Sequence, residues 1–118
     1  MMVLVVEDES LVRELVEEAL TEVGASVATA SSSPEALTIL EQRSFQPDVL
    51  VTDINLGSGA DGFELARTAR VRAPGMKVVY ITGHAAHLAG GGVPGSLMFP
   101  KPFMPEQLAA AVMKLGGS

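Results

Sequence analysis

The sequence predicts an α/β fold, a five-stranded parallel sheet with helices on both faces, and three observations carry that expectation. Short runs of β-branched and aliphatic residues alternate along the chain with amphipathic stretches of helical spacing. Each apolar run stops abruptly at a polar residue. Glycine, proline, serine or aspartate marks most of the junctions between them.

Val3-Leu4-Val5-Val6 reads as a buried parallel strand whose carboxyl end meets solvent at Glu7-Asp8-Glu9. After Ser10, the expected N-cap, Leu11, Val12, Leu15, Val16, Ala19, Leu20 and Val23 recur at helical spacing with glutamates between them. Gly24 stands where a C′ glycine closes a helix. Residues 26–30 form the expected second strand. Ser33-Pro34-Glu35 predicts a second helix, capped by Ser33, with Pro34 at its first position and an end near Ser44.

Residues 48–54 are the third apolar run, and the aspartate near its end is Asp53. A glycine-rich loop, 55–60, leads to Asp61-Gly62-Phe63-Glu64, whose capping-box spacing starts a third helix that must stop before Pro74. Residues 77–82 give the fourth strand. Residues 84–89 allow at most two helical turns before Gly90-Gly91-Gly92 and Pro94, so the fourth helix should be short and frayed. Residues 96–99 form the fifth strand, followed by Lys101-Pro102, and 105–115 an amphipathic last helix closed by Gly116-Gly117.

A chain of 118 residues with 47% hydrophobic and 19% charged side chains is expected to form one globular domain. No apolar run approaches the roughly 20 residues of a membrane helix, and MMVLVVEDES lacks a secretory n-region, which makes a soluble cytoplasmic protein the expectation. The absence of cysteine excludes disulfides, thiolate catalysis and cysteine-held zinc. A net charge of −6 argues against direct nucleic-acid binding.

In an open parallel sheet, ligands bind outside the carboxyl ends of the strands, and the polar residues fall there: Glu7 and Asp8, Asp53, Thr82 and Lys101. Taken singly, a carboxylate or threonine at a strand end is a cap or a solvated loop residue. Together they describe a crevice. Three carboxylates in one crevice repel each other, and a hard divalent cation resolves the conflict. Mg²⁺ suits Asp8, Asp53 and a loop carbonyl such as that of Asn55, with Glu7 acting through water or through Lys101. An aspartate attacks phosphorus to give an acyl phosphate when charge on the transferring oxygens is neutralised, and Asp53 is the candidate. Lys101 would pair with the phosphate, the Thr82 hydroxyl would donate to it, and Gly83, without a side chain, would leave the approach open. His84 and His87 read as surface residues, Met104 and Met113 as packing.

Glu7-Asp8, Asp53, Thr82 and Lys101-Pro102-Phe103 resemble the signature of response-regulator receiver domains, over essentially the whole chain. The resemblance implies a flavodoxin-like fold of strand order 2-1-3-4-5, a two-component phosphorelay module and not an enzyme, and Asp53 as phosphoacceptor. It further implies Mg²⁺ on Asp8, Asp53 and the Asn55 carbonyl, and a cis Lys101-Pro102 peptide. The donor would be a sensor histidine kinase or a histidine phosphotransfer protein. The output partner would meet the face of the fourth helix, fifth strand and last helix, in a monomer or weak dimer.

Three features depart from the family pattern. Met98 replaces the aromatic usual three residues before the lysine. The loop after Asp53 is one residue longer than the commonest form and carries Gly57 where proline is frequent, similar to receivers of hybrid histidine kinases. The fourth helix is cut short. Met98 lacks two sharply distinct rotamers, which shifts the expected switch to ordering of residues 84–95. The alternative is an aspartyl-phosphate-forming phosphatase of the haloacid-dehalogenase type, which wants an aspartate where Asn55 stands. A flavodoxin-like cofactor binder would need a Ser/Thr-rich phosphate loop after the first strand, where this chain has acids.

Overall fold

The interior strands of this chain are apolar at successive positions, so both faces of the sheet need cover. The computed structural model describes residues 1–42, 44–57, 59–83 and 91–117. Its elements run β1 (Met2–Val6), α1 (Ser10–Glu22), β2 (Ser26–Ala30), α2 (Ser33–Glu41), β3 (Val49–Asp53), α3 (Gly62–Arg72), β4 (Lys77–Thr82), β5 (Leu97–Pro100) and α4 (Pro105–Gly116). All neighbouring strands are parallel, in the order β2-β1-β3-β4-β5. The short helix expected at 84–89 lies outside the described residues.

Side chains alternate across a strand, and here the alternation builds two cores. On one face Val3, Val5, Val49, Val51, Val79 and Ile81 pack with Val16, Ala19 and Leu20 of α1 and with Leu108, Ala109 and Val112 of α4. On the other, Leu4, Val6, Leu50, Val78 and Tyr80 pack with Ala36 of α2 and with Leu65, Ala66 and Ala69 of α3. Each fully buried valine or leucine contributes roughly 1.5–3 kcal/mol, so the central strands are fixed in register by both layers.

Two expected caps move by one residue. Glu9, not Ser10, is the N-cap of α1, and it makes no side-chain cap hydrogen bond. Ser32, not Ser33, caps α2 by accepting from the Glu35 N–H at 3.3 Å. A capping oxygen must reach the amide two or three residues on, and the Glu35 N–H lies within reach of Ser32; the Glu35 carboxylate itself accepts from the Ser31 hydroxyl at 2.9 Å. Pro34 still sits in the first turn. The helix ends at Glu41, earlier than Ser44. The Asp61 cap appears as expected, its Oδ1 accepting from Glu64 N–H at 2.9 Å.

The start of α3 touches the end of β3 directly. Gly62 donates its N–H to the Ile54 carbonyl at 2.8 Å, and a Cβ at Gly62 would fall on the Asp53 carbonyl oxygen and the Ile54 Cα. Only glycine allows that approach, and it sets the backbone of the residue that ends β3. Gly62→Ala should therefore destabilise the protein by about 1–3 kcal/mol in urea unfolding, as overpacking does. At Gly75 a Cβ meets nothing within 4 Å. Gly75→Ala should stay within about 0.5 kcal/mol of wild type, and equal effects at the two sites would contradict the close-approach account.

Candidate functional site

The carboxyl ends of β1, β3 and β5 bring five charged side chains together, Glu7, Asp8, Glu9, Asp53 and Lys101. Asp53, the last residue of β3, is 5% exposed. Its Oδ1 accepts from the Asn55 N–H at 3.1 Å and its Oδ2 from Lys101 Nζ at 2.8 Å. Lys101 Nζ also donates to Glu7 Oε1 at 2.9 Å and lies 3.7 Å from Glu9 Oε1. Lys101 is aimed by its backbone: its N–H donates to the Thr82 carbonyl at 2.8 Å, and the Lys101-Pro102 peptide is cis.

Glu7 follows β1 and is completely buried. Its N–H donates to the Ala30 carbonyl at 3.0 Å, and its carbonyl accepts from Arg13 Nη1 at 2.8 Å, which fastens the backbone from both sides. Its Oε2 is buried without a partner. Asp8 is exposed at the rim. Asp8, Glu9, Asp53, Asn55, Gly83 and Lys101 line a cleft of about 240 Å³.

Carboxylates outnumber the one ammonium here. Burial pushes the Glu7 carboxyl up to about 8, with Asp53 adding to the effect and Lys101 opposing it. Burial works against the Lys101 ammonium, but hydrogen bonds to Asp53 and Glu7, and their charge, outweigh it and hold Lys101 above the usual lysine range.

Of the residues singled out by sequence, Glu7, Asp53 and Lys101 are in contact, and Asp8, Asn55 and Gly83 border the same cleft. Thr82 is buried at the end of β4 and is not part of the cleft lining. A Cβ on Gly83 would meet nothing within 4 Å among the described residues, so their packing does not require glycine there. Glu9 and Arg13 were not anticipated. Glu9 could have been read from the acid run 7–9, whereas Arg13 acts on a backbone carbonyl, which leaves no pattern in side-chain spacing.

The donor set suits a hard cation. Among the described residues, Glu7, Asp8 and Asp53 are the one group of three acids with ligand atoms close enough to share an ion, all within 4.8 Å. The orphaned Glu7 Oε2 is the kind of atom that a metal-bound water satisfies. All the donors are oxygens, as Mg²⁺ prefers.

The family model of the response regulator receiver domain matches residues 3–113. The chain belongs to that family. Receivers are the signalling domains of two-component systems, and phosphoryl acceptance is general among them. A response regulator receiver protein from Sinorhizobium medicae superposes with a TM-score of 0.91 at 37% identity, covering 100% of this chain and 95% of that one. The chemotaxis response regulator CheY4 of Vibrio cholerae gives 0.83 at 26% identity, with 97% of each chain covered. Among curated relatives, the alginate biosynthesis transcriptional regulatory protein AlgB of Pseudomonas aeruginosa is 36% identical over 95% of this chain and 25% of its own length. The sensor kinase CckA of Brucella abortus is 35% identical over 96% of this chain and 12% of its own. The chain thus spans a quarter or less of these two relatives. No helix among the described residues is long and apolar enough to cross a membrane.

With one lysine shared between two buried carboxylates, removing the charge of Asp53 leaves Lys101 to Glu7 alone. In chelator at about pH 9, where Glu7 as well as Asp53 is ionised, Asp53→Asn should raise unfolding stability by about 1–2 kcal/mol relative to wild type. A loss of stability would show instead that the Asp53–Lys101 pair outweighs the repulsion.

Proposed function

We propose that Asp53 is the phosphoacceptor of this receiver and takes its phosphoryl group from a phosphohistidine on a sensor histidine kinase or a histidine phosphotransfer protein. The observation that carries this reading is the Asp53 carboxylate itself, held between Lys101 Nζ and the Asn55 N–H at the wall of an acidic cleft. A carboxylate fixed by two donors is oriented for attack without further search, which lowers the entropic part of the barrier. In the transfer a carboxylate oxygen of Asp53 forms a bond to phosphorus as the phosphorus–nitrogen bond to the donor ring breaks, the electron pair stays on that ring nitrogen, and the ring, protonated at its other nitrogen, leaves as neutral imidazole.

Charge decides what else the step needs. Phosphorylation replaces the single charge of the Asp53 carboxylate with about −1.5 to −2 on the phosphoryl group, in a cleft in which acids already exceed cations. Lys101, now on Asp53 Oδ2, is placed to follow the charge onto a phosphoryl oxygen. The Thr82 hydroxyl, at the end of β4, would donate to a second oxygen, and Gly83 leaves space for the group. Mg²⁺ bound by Asp8, Asp53 and the Asn55 carbonyl, with Glu7 reaching it through water, would neutralise the remaining charge. Any catalysis is then confined to the receiver's own phosphorylation and dephosphorylation.

Incubation with a small phosphodonor such as acetyl phosphate and Mg²⁺ should add a single alkali-labile phosphoryl group, seen by intact-mass spectrometry. Asp53→Ala should show none, and an adduct that persists in that variant would place the acceptor elsewhere.

Metal removal gives a second check. Mg²⁺ at about 100 times its Kd should stabilise the fold by about 2.7 kcal/mol, and Asp8→Ala should lose most of that gain. Thermal melts of both proteins with and without Mg²⁺ decide it, and equal gains would mean the ion binds away from Asp8.

A further inference from the structure

Tyr80 lies two residues before Thr82 on β4, so the two side chains project from the same face of the sheet. It is the largest fully buried side chain among the described residues. Its ring meets Phe63 of α3 edge-on at 5.1 Å, and its register neighbour on β5 is Met98, packed against the same core. The phenol oxygen accepts from the Val93 N–H at 3.1 Å. Residues 91–93 lie across these two rings. A Cβ on Gly91 would sit 3.2 Å from Phe63 Cζ, and one on Gly92 would sit 2.5 Å from Tyr80 Cε2 and 2.6 Å from Ser96 Oγ. A side chain at position 92 would therefore force the segment off the ring. The two glycines let the backbone descend far enough for Val93 to reach the hydroxyl.

Tyr80 thus joins two places that the sheet holds apart. One is the end of β4, where Thr82 stands and where its carbonyl holds the backbone of Lys101. The other is the chain leading into β5. Met98 offers no hydroxyl for such a tie, and its thioether adapts to whatever space is left. The polar bond between strand and segment at this point is made by Tyr80.

We propose that Tyr80 is a positioning residue that couples the phosphoacceptor site to residues 91–93, its hydroxyl holding Val93 in the resting arrangement and releasing it when the Thr82 end of β4 engages a phosphoryl group. This deepens, and rests on, the assignment of Asp53 as acceptor. A bond present in the resting form and absent from the phosphorylated form biases the equilibrium toward rest. Removing the hydroxyl while keeping the ring must then favour the phosphorylated form. Tyr80→Phe retains the edge contact with Phe63 and all of the buried carbon.

The test uses the full chain with beryllofluoride and Mg²⁺ as the phosphoryl mimic, read by amide hydrogen exchange and by binding titration. In wild type the Val93 amide is protected without ligand and loses protection on beryllofluoride binding. In Tyr80→Phe the Val93 amide exchanges fast in both states, and the protein binds beryllofluoride about 3- to 10-fold more tightly, the scale of one hydrogen bond. Mg²⁺ affinity without beryllofluoride stays at the wild-type value, which separates release of the latch from general loosening of the site. Unchanged Val93 protection on activation, or equal beryllofluoride affinity in the two proteins, overturns the coupling. Failure of wild type to bind beryllofluoride overturns the Asp53 assignment and the coupling with it. The Val93 amide of ligand-free Tyr80→Phe distinguishes that case, since its exchange reports the hydrogen bond whatever the site binds.

Discussion

One ammonium group stands between two buried carboxylates, and the architecture at the top of the sheet follows from that shortage of positive charge. Lys101 donates to Asp53 and Glu7 at nearly equal distances, 2.8 and 2.9 Å, with Glu9 further out. Neither carboxylate has the cation to itself. Glu7 responds by holding its proton up to about 8 and leaving one oxygen without a partner. A site in this condition takes up further cations readily and accepts further anionic charge only in their company. The same imbalance suits the cleft to a hard divalent ion.

The fold supplies this arrangement at little extra cost, because each charged residue lies at the end of a strand whose interior is apolar. The three central strands, β1, β3 and β4, are buried on both faces and carry few polar side chains along their length, so the polar residues gather where the strands end. Short backbone ties then fix their directions. The Thr82 carbonyl takes the Lys101 N–H, the Ala30 carbonyl takes the Glu7 N–H, and Gly62 closes against the end of β3. Arg13 holds the Glu7 carbonyl from α1. The layer formed by Tyr80 with Phe63 and Met98 is apolar except for one hydroxyl, and it packs between α3, β4 and β5.

Much of this was legible in the sequence because it rests on periodicity and on where apolar runs stop. Strands β2 and β4 have the bounds that their β-branched runs predict, and the Asp61 cap sits where the capping-box spacing places it. The cap expected at Ser33 falls on Ser32 because neighbouring serines satisfy the same rule and only backbone geometry chooses between them, whereas α1 starts from Glu9 with no side-chain cap. The charged cluster could be named from strand ends, but the sharing of Lys101 could not, since it depends on which carboxylate oxygens lie within reach after three strands have been placed. Gly62 looked like an ordinary second residue of a capping box. Its contact with the Asp53 carbonyl is a tertiary approach that no local pattern records. Tyr80 likewise read as one more residue of a buried strand, and its hydroxyl acquires a partner only when the chain returns thirteen residues later.

The most direct test of the charge account is the dependence of phosphoryl-mimic binding on its cations. Beryllofluoride affinity should be measured for wild type and Lys101→Gln across a range of Mg²⁺ concentrations. The account predicts that wild type binds only when Mg²⁺ is present and that Lys101→Gln binds at least about tenfold more weakly at saturating Mg²⁺, a difference of about 1.4 kcal/mol. Binding that is indifferent to both Mg²⁺ and Lys101 would contradict it.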